Sequence, residues 1–342
     1  MRKNCVKQTT SRVIRILFTV VSVLILTLAV TAHAGIEKVR YTYYTDGQLH
    51  KVTYGNGKAI QYVYDISGNR LSKTVLASVK NNIAVFRPSI GIWYIINGGN
   101  PNVINWGTNG DIPVPGDYDG IGSAEIAVFR PSDGNWYILN SLTNAYRVVN
   151  WGIGGDIPMP GDYEGDGITN IAVFRPSEGN LYILDNTTNA ARVVQWGTNG
   201  DIPVPGVYEG NGLTNIAVYR PSDGNWYIQN TAANTQRVVH WGTNGDIPVP
   251  GDYDGDGMTD IAVYRPSTGT WYILDSSTNA SRTLQWGMSS DIPVPGDFDG
   301  DGITDLAVFR PSDGNWYIFN SSTGTVTVMQ WGQAGDIAVR GE

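Results

Sequence analysis

From residue 81 onward, short apolar runs alternate with clusters of Gly, Pro, Asn, Asp and Ser, a pattern that predicts strands of about five residues joined by tight turns. Residues 246–290 show it well. Ile247-Pro-Val-Pro-Gly predicts a first strand, Asp260-Ile-Ala-Val-Tyr-Arg a second, Thr270-Trp-Tyr-Ile-Leu a third and Arg282-Thr-Leu-Gln-Trp a fourth. Pro266-Ser-Thr-Gly joins the second and third as a hairpin, and four other copies carry Asp-Gly or Glu-Gly there. Pro248 and Pro250 lack the N–H groups that a ladder on both sides demands, so the first strand is an edge strand.

The unit repeats. Trp-Gly recurs at Trp106, Trp151, Trp196, Trp241, Trp286 and Trp331, each 45 residues after the last. Arg-Pro-Ser begins at Arg87, Arg130, Arg175, Arg220, Arg265 and Arg310, with the same spacing after a first interval of 43. Six four-stranded units of this length predict an all-β fold, a six-bladed β-propeller, with seven blades as the alternative. The repeat region starts in a second strand (residues 82–86) and finishes just after a first strand (residues 336–339). A ring therefore closes when the last strand joins the first three in one blade, removing two open edges.

The chemistry concentrates between the first and second strands. Asp252, Asp254, Asp256 and Asp260, and likewise Asp297, Asp299, Asp301 and Asp305, occupy positions 1, 3, 5 and 9 of glycine-rich loops. With the carbonyl at position 7, Met258 or Ile303, these are hard oxygen ligands suited to Ca²⁺. Neither loop is an EF-hand, since Val263 and Val308 stand where position 12 needs a glutamate. The competing reading is a turn whose carboxylates cap backbone amides, but four carboxylates within nine residues repel one another without a cation. Asp162, Glu164, Asp166, Ile168 and Asn170 retain an oxygen at every position and predict a weaker site. The loop at 117–125 has Ile121 at position 5, and that at 207–215 begins with Val207; the latter is expected to bind nothing.

The order Trp-Gly, Gly-Asp-x-Asp-Gly-Asp-Gly-x-x-Asp, Ile-Ala-Val-Phe-Arg-Pro resembles the FG-GAP or VCBS-type repeat over about three quarters of the chain. The resemblance implies an extracellular Ca²⁺-stabilised propeller, often seven-bladed as in integrin α-chain heads, with the loop carboxylates as ligands. The chain departs from that pattern in having Phe-Arg-Pro or Tyr-Arg-Pro where Gly-Ala-Pro is common. Upstream, Tyr43-Tyr-Thr-Asp-Gly-Gln-Leu49 and Tyr62-Val-Tyr-Asp-Ile-Ser-Gly-Asn-Arg-Leu71 resemble the YD repeat of Rhs-type surface proteins. Their alternation of aromatic and polar residues predicts β-hairpins.

Composition narrows the function. Residues 1–34 combine five basic residues, an apolar run over residues 16–30 and Ala32-His-Ala34, the pattern of a cleaved export signal; that run is too short to span a bilayer. The expected organisation is a signal at 1–34, hairpins at 35–79 and the propeller at 80–342, with no stable membrane insertion after cleavage. Beyond residue 34, 18 Lys and Arg face 31 Asp and Glu, which argues against nucleic acid and anionic membrane as partners. The one cysteine, Cys5, precedes the cleavage point, so neither disulfide nor thiol chemistry is expected. Only His50 and His240 remain after residue 34, with no Gly-x-Ser-x-Gly elbow, which removes most nucleophile-and-base machinery.

The six arginines of Arg-Pro-Ser and the recurring Asp111, Asp156, Asp201, Asp246, Asp291 and Asp336 admit two readings. In one, arginine with the nearby Trp and Tyr forms six sugar pockets. In the other, buried Arg–Asp pairs fix neighbouring blades. Taken together, the residues predict a secreted, non-catalytic, Ca²⁺-binding module for an extracellular glycan or protein. A secreted carbohydrate-active hydrolase or lyase, and a structural fragment of a Rhs-like surface protein, stand as alternatives.

Overall fold

The computed structural model describes residues 39–43, 49–54, 59–64 and 70–76, and residues 81–341 apart from 98, 121, 141–142, 211 and 231–234. The expected export signal lies outside the described residues. The strands Val39–Tyr43, Leu49–Tyr54, Ala59–Tyr64 and Arg70–Leu76 pair in sequence order as one antiparallel sheet, which is the predicted pair of hairpins.

The remaining strands form six four-stranded antiparallel sheets arranged in a ring, a six-bladed β-propeller. In one blade Ile112–Pro113, Ile126–Arg130, Asn135–Leu139 and Tyr146–Asn150 follow one another from inner to outer edge. The first strand is shorter than its apolar run suggests. Ile247–Pro248 makes the regular ladder, Val249 N–H bonds the Ala262 carbonyl (2.8 Å) and Gly251 bridges Asp260, so Pro248 and Pro250 occupy the alternate positions that face away from the second strand and bar a further strand on the open side.

Closure follows the expected route. Ile337–Gly341 pairs with Asn82–Arg87 in register Ile337 to Phe86 through Gly341 to Asn82. This closing copy carries Ala338 and Arg340 where the others have proline, and its strand runs over five residues instead of two.

Second strands such as Ile126–Arg130 are buried on both faces. Ala127 and Phe129 pack with Trp136 against Ile171 and Val173 of the next blade, while Ile126 and Val128 pack against Phe86 and Trp93 of the previous one. The core Trp136 is satisfied as well as buried, its indole N–H donating to the Trp151 carbonyl at 2.7 Å. Each hairpin after the second strand needs glycine: Gly134 has φ 69°, and a Cβ there would lie 2.2 Å from the Gly152 carbonyl oxygen. Among the described residues no helix is long and apolar enough to cross a membrane.

Candidate metal loops and inter-blade pockets

Antiparallel register puts the loops between first and second strands on one face of the ring and the hairpins between second and third strands on the other. The two faces carry different chemistry.

On the first face, oxygens of Asp252, Asp254 and Asp260 lie within 4.8 Å of one another, as do those of Asp297, Asp299 and Asp305. Position 1 is braced by glycine amides: Gly255 and Gly257 both donate to Asp252 at 2.7 Å. Position 9 is buried, and Asp260 accepts from Tyr253 N–H (2.8 Å) and Ser276 N–H (2.7 Å). Asp256 stands outside the trio, accepting from Met258 N–H (2.7 Å) and Ser276 Oγ (3.1 Å), and Asp301 does the same with Ile303 and Ser321. Burial pushes the carboxyls of Asp252 and Asp297 up to about 6, against the pull of the glycine N–H groups and with the help of neighbouring carboxylates. Asp260, Asp301 and Asp305 are raised as well, chiefly by burial. A hard divalent cation would relieve the burial and the repulsion together, so the donor set fits one.

Loop 162–170 is built differently. Gly165 and Gly167 brace Asp162 at 2.6 and 2.9 Å, but Glu164 pairs with Arg192 (3.3 Å) and Asp166 accepts from Ile168 N–H and Thr187 Oγ1, each at 3.0 Å. Asn170 accepts from Tyr163 N–H at 2.8 Å. Among the described residues this loop forms no group of three carboxylates, whereas loop 117–125 does, through Asp117, Asp119 and Glu125. The loops are also chained. Asp117, Asp162, Val207 and Asp252 each accept, at the carbonyl, a hydrogen bond from the threonine one loop further on (2.7–2.9 Å). Asn81 ends the chain by donating to the Asp297 carbonyl (2.6 Å) and accepting its N–H (2.6 Å).

On the opposite face, the six Arg and six Asp do pair. Arg130 binds Asp111 through Nε (2.7 Å) and Nη2 (2.9 Å), and Arg87 reaches across the chain ends to Asp336 in the same way. Each Asp lies on the connector leading into a blade and each Arg on the second strand of that same blade. The guanidinium also lies over a tyrosine of the third strand, 4.1–4.4 Å from the ring centre in all six copies. The tyrosine carbonyl in turn accepts the indole N–H of the Trp-Gly tryptophan of the preceding blade, as in Trp151 to Tyr182 (3.1 Å) and Trp331 to Tyr94 (3.0 Å). Each blade junction therefore presents a half-buried Trp from one blade and an Arg–Tyr stack from the next. At the closing junction Val85, Arg87, Tyr94, Gln330, Trp331 and Gly332 line a cavity of about 170 Å³. The bond from the Trp indole to the next blade's carbonyl had no signal in the residue pattern, because it depends on how blades pack.

FG-GAP family descriptions match two stretches of the chain, the FG-GAP-like repeat over residues 252–308 and the FG-GAP repeat over residues 292–329. No curated protein matches the chain in sequence. Among solved structures, TolB from Acinetobacter baumannii is similar at TM-score 0.54 and 15% identity, over 88% of this chain and 81% of that one. An Agrocybe aegerita lectin, described for specific recognition of non-reducing terminal N-acetylglucosamine, is similar at TM-score 0.50 and 16% identity, over 75% of this chain and 77% of its own. At such identities the likeness is one of fold.

Proposed function

Starting from a chain that is an FG-GAP-type repeat propeller, we propose that it serves as an exported, non-catalytic binding module, steadied by Ca²⁺ on one face and taking sugar residues in the blade junctions of the other. The carrying observation is the sixfold junction of half-buried Trp, guanidinium and Tyr. An indole face suits the apolar face of a pyranose ring, and a guanidinium already fixed by Asp and Tyr presents its remaining N–H groups to hydroxyl or carbonyl oxygens without losing rotamer freedom. A cavity of about 170 Å³ is below the roughly 300–1,000 Å³ of drug-sized sites, which favours a single terminal sugar over an extended chain. The lectin likeness is consistent with this use of the fold.

A glycosidase needs one carboxyl that holds its proton and a second poised nearby. The junction carboxylates do not supply that pair. Both oxygens of Asp111 are engaged by Arg130. Asp133 sits below the usual carboxylate range, since hydrogen bonds from Asn135 and Tyr137 outweigh the opposing effect of burial. Ca²⁺ would be held by Asp252, Asp254 and Asp260 and by Asp297, Asp299 and Asp305, with Asp256 and Asp301 available at position 5 and loop 162–170 binding less tightly because Glu164 is engaged by Arg192. Bound there it neutralises the loops and stiffens the chained face.

A glycan array with and without chelator tests the reading. Binding to a defined terminal sugar without turnover, weakened when Trp331→Ala and Trp151→Ala remove two junctions, is the expected result. Release of shortened sugars, or binding unaffected by both substitutions, would overturn it.

A further inference from the structure

Resting on the sugar-binding reading above, we propose that two of the six junctions, Arg87–Tyr94–Trp331 and Arg265–Tyr272–Trp241, select a sugar that carries a carboxylate, a hexuronate, and that the other four exclude it. The junctions differ at the turn between second and third strands. Arg130, Arg175 and Arg220 each meet a second carboxylate three residues on, Asp133, Glu178 and Asp223, at 3.4–4.0 Å from Nη1, and Arg310 has Asp313 at that place. In all four the third-strand tyrosine donates its hydroxyl to that carboxylate, at 2.8 Å from Tyr137 and Tyr227, 2.9 Å from Tyr317, and likewise from Tyr182. In three of them a backbone N–H, that of Asn135, Asn225 or Asn315, is a further donor at 2.9 Å.

After Arg87 and Arg265 the same turn position holds Ile90 and Thr268, both exposed. Among the described residues, Asp336 and Asp246 are the only carboxylates paired with these two guanidiniums. The hydroxyls of Tyr94 and Tyr272 interact with the guanidinium instead, and because arginine only donates, the phenol hydrogen is left for another acceptor. Ile92 and Thr270 stand opposite the arginine in the register place of Asn135. These two junctions therefore keep the donors that surround Asp133 in a sibling and lack its carboxylate. A uronate on a ring stacked against Trp331 or Trp241 would supply it, accepting from Nη1 and from the tyrosine hydroxyl as charge-assisted bonds. The siblings show that one guanidinium on this scaffold accommodates two carboxylates. At those four, an incoming uronate meets a like charge that already holds the donors. The cavity of about 170 Å³ opens at one of the two selective junctions, lined by Arg87, Tyr94 and Trp331. The acidic loops lie on the opposite face of the ring and do not oppose an anionic ligand there.

Ligand-observed NMR titration of the full chain with methyl β-glucuronide and methyl β-galacturonide, each beside its neutral glycoside, tests the assignment. The parent protein should bind the acidic glycosides. Ile90→Asp combined with Thr268→Asp rebuilds the sibling turn at both junctions and should weaken the acidic glycosides at least about tenfold through like charge, while the neutral ones, which the four sibling junctions also take, bind as before. Asp133→Thr should do the converse and strengthen acidic binding, and it decides the matter if the double variant fails to fold. Neutral glycosides bound without acidic ones, or acidic binding that ignores all three substitutions, overturns this inference and leaves the sugar-binding reading standing. Displacement of the glucuronide by acetate at equal concentration would show an anion site indifferent to sugar and overturns it as well. Binding of no glycoside at all would overturn both readings.

Discussion

At the residue scale, the Arg–Asp pairs show why the two halves of an ion pair are not equivalent. Asp156 has 1% of its side chain exposed, while Arg175 has 16% and also stacks on Tyr182. Removing the arginine strands a buried carboxylate; removing the aspartate leaves a cation that still reaches water and a ring. Arg175→Met should therefore destabilise by about 3 kcal/mol and Asp156→Asn by about 1–2 kcal/mol, measured by denaturant unfolding at neutral pH. The pairing itself was legible in the 45-residue recurrence of both residues, but its purpose was not. One of the two readings had the pairs join neighbouring blades, whereas each ties an incoming connector to its own blade, with Arg87 and Asp336 doing so across the chain ends.

At the element scale, strand order, edge prolines and ring closure all followed from residue chemistry, because Pro removes donors and a repeat of fixed length must meet its own start. Strand length was less legible: the run from Ile247 to Gly251 reads as one strand, but the regular ladder covers Ile247–Pro248, with Val249 and Gly251 adding separate bonds to Ala262 and Asp260. Asn81 was unreadable, since it lies before the first repeat and has the work of a threonine from a loop that blade does not possess. Closure makes a specific prediction. Ending the chain before Asp336 removes Ile337–Gly341, the Arg87 pair and a buried Val339, and exposes the edge of Asn82–Arg87. The melting temperature should fall far more than for deletion of a similar length of surface loop, and the protein should associate in size-exclusion chromatography. A truncated chain that stays monomeric and melts unchanged would show that the ring holds without that strand.

At the scale of the whole molecule, the proposed Ca²⁺ sites on the acidic face predict that stability depends on the ion and on pH in a linked way. Without an ion, Asp252 and Asp297 ionise only near pH 6, whereas in an unfolded chain aspartate ionises near 3.9. A carboxyl with a raised folded-state value binds its proton more tightly in the folded protein. Its ionisation therefore costs nothing below about pH 4, costs progressively more between about 4 and 6, and costs the full amount above. Chelated protein should accordingly lose stability from these groups as pH rises through that window. Calcium bound at the proposed sites would act on the same oxygens and compete with the proton for them, so its stabilising effect should be small at about pH 5 and large at about pH 7.5. Because Asp252 is tied through its carbonyl to Thr304 and Asp297 to Asn81, occupied loops should stiffen their neighbours as well as themselves. Asp254→Ala or Asp299→Ala should remove much of the calcium-dependent rise in melting temperature, while Glu209→Ala, in the loop that begins with Val207, should leave it unchanged. Thermal unfolding in Ca²⁺ and in chelator across that pH range checks both statements. A calcium-induced shift that is equal at pH 5 and 7.5 would mean that the ion binds elsewhere than at the buried carboxylates, and that the acidic loops are turns capped by their own glycine amides.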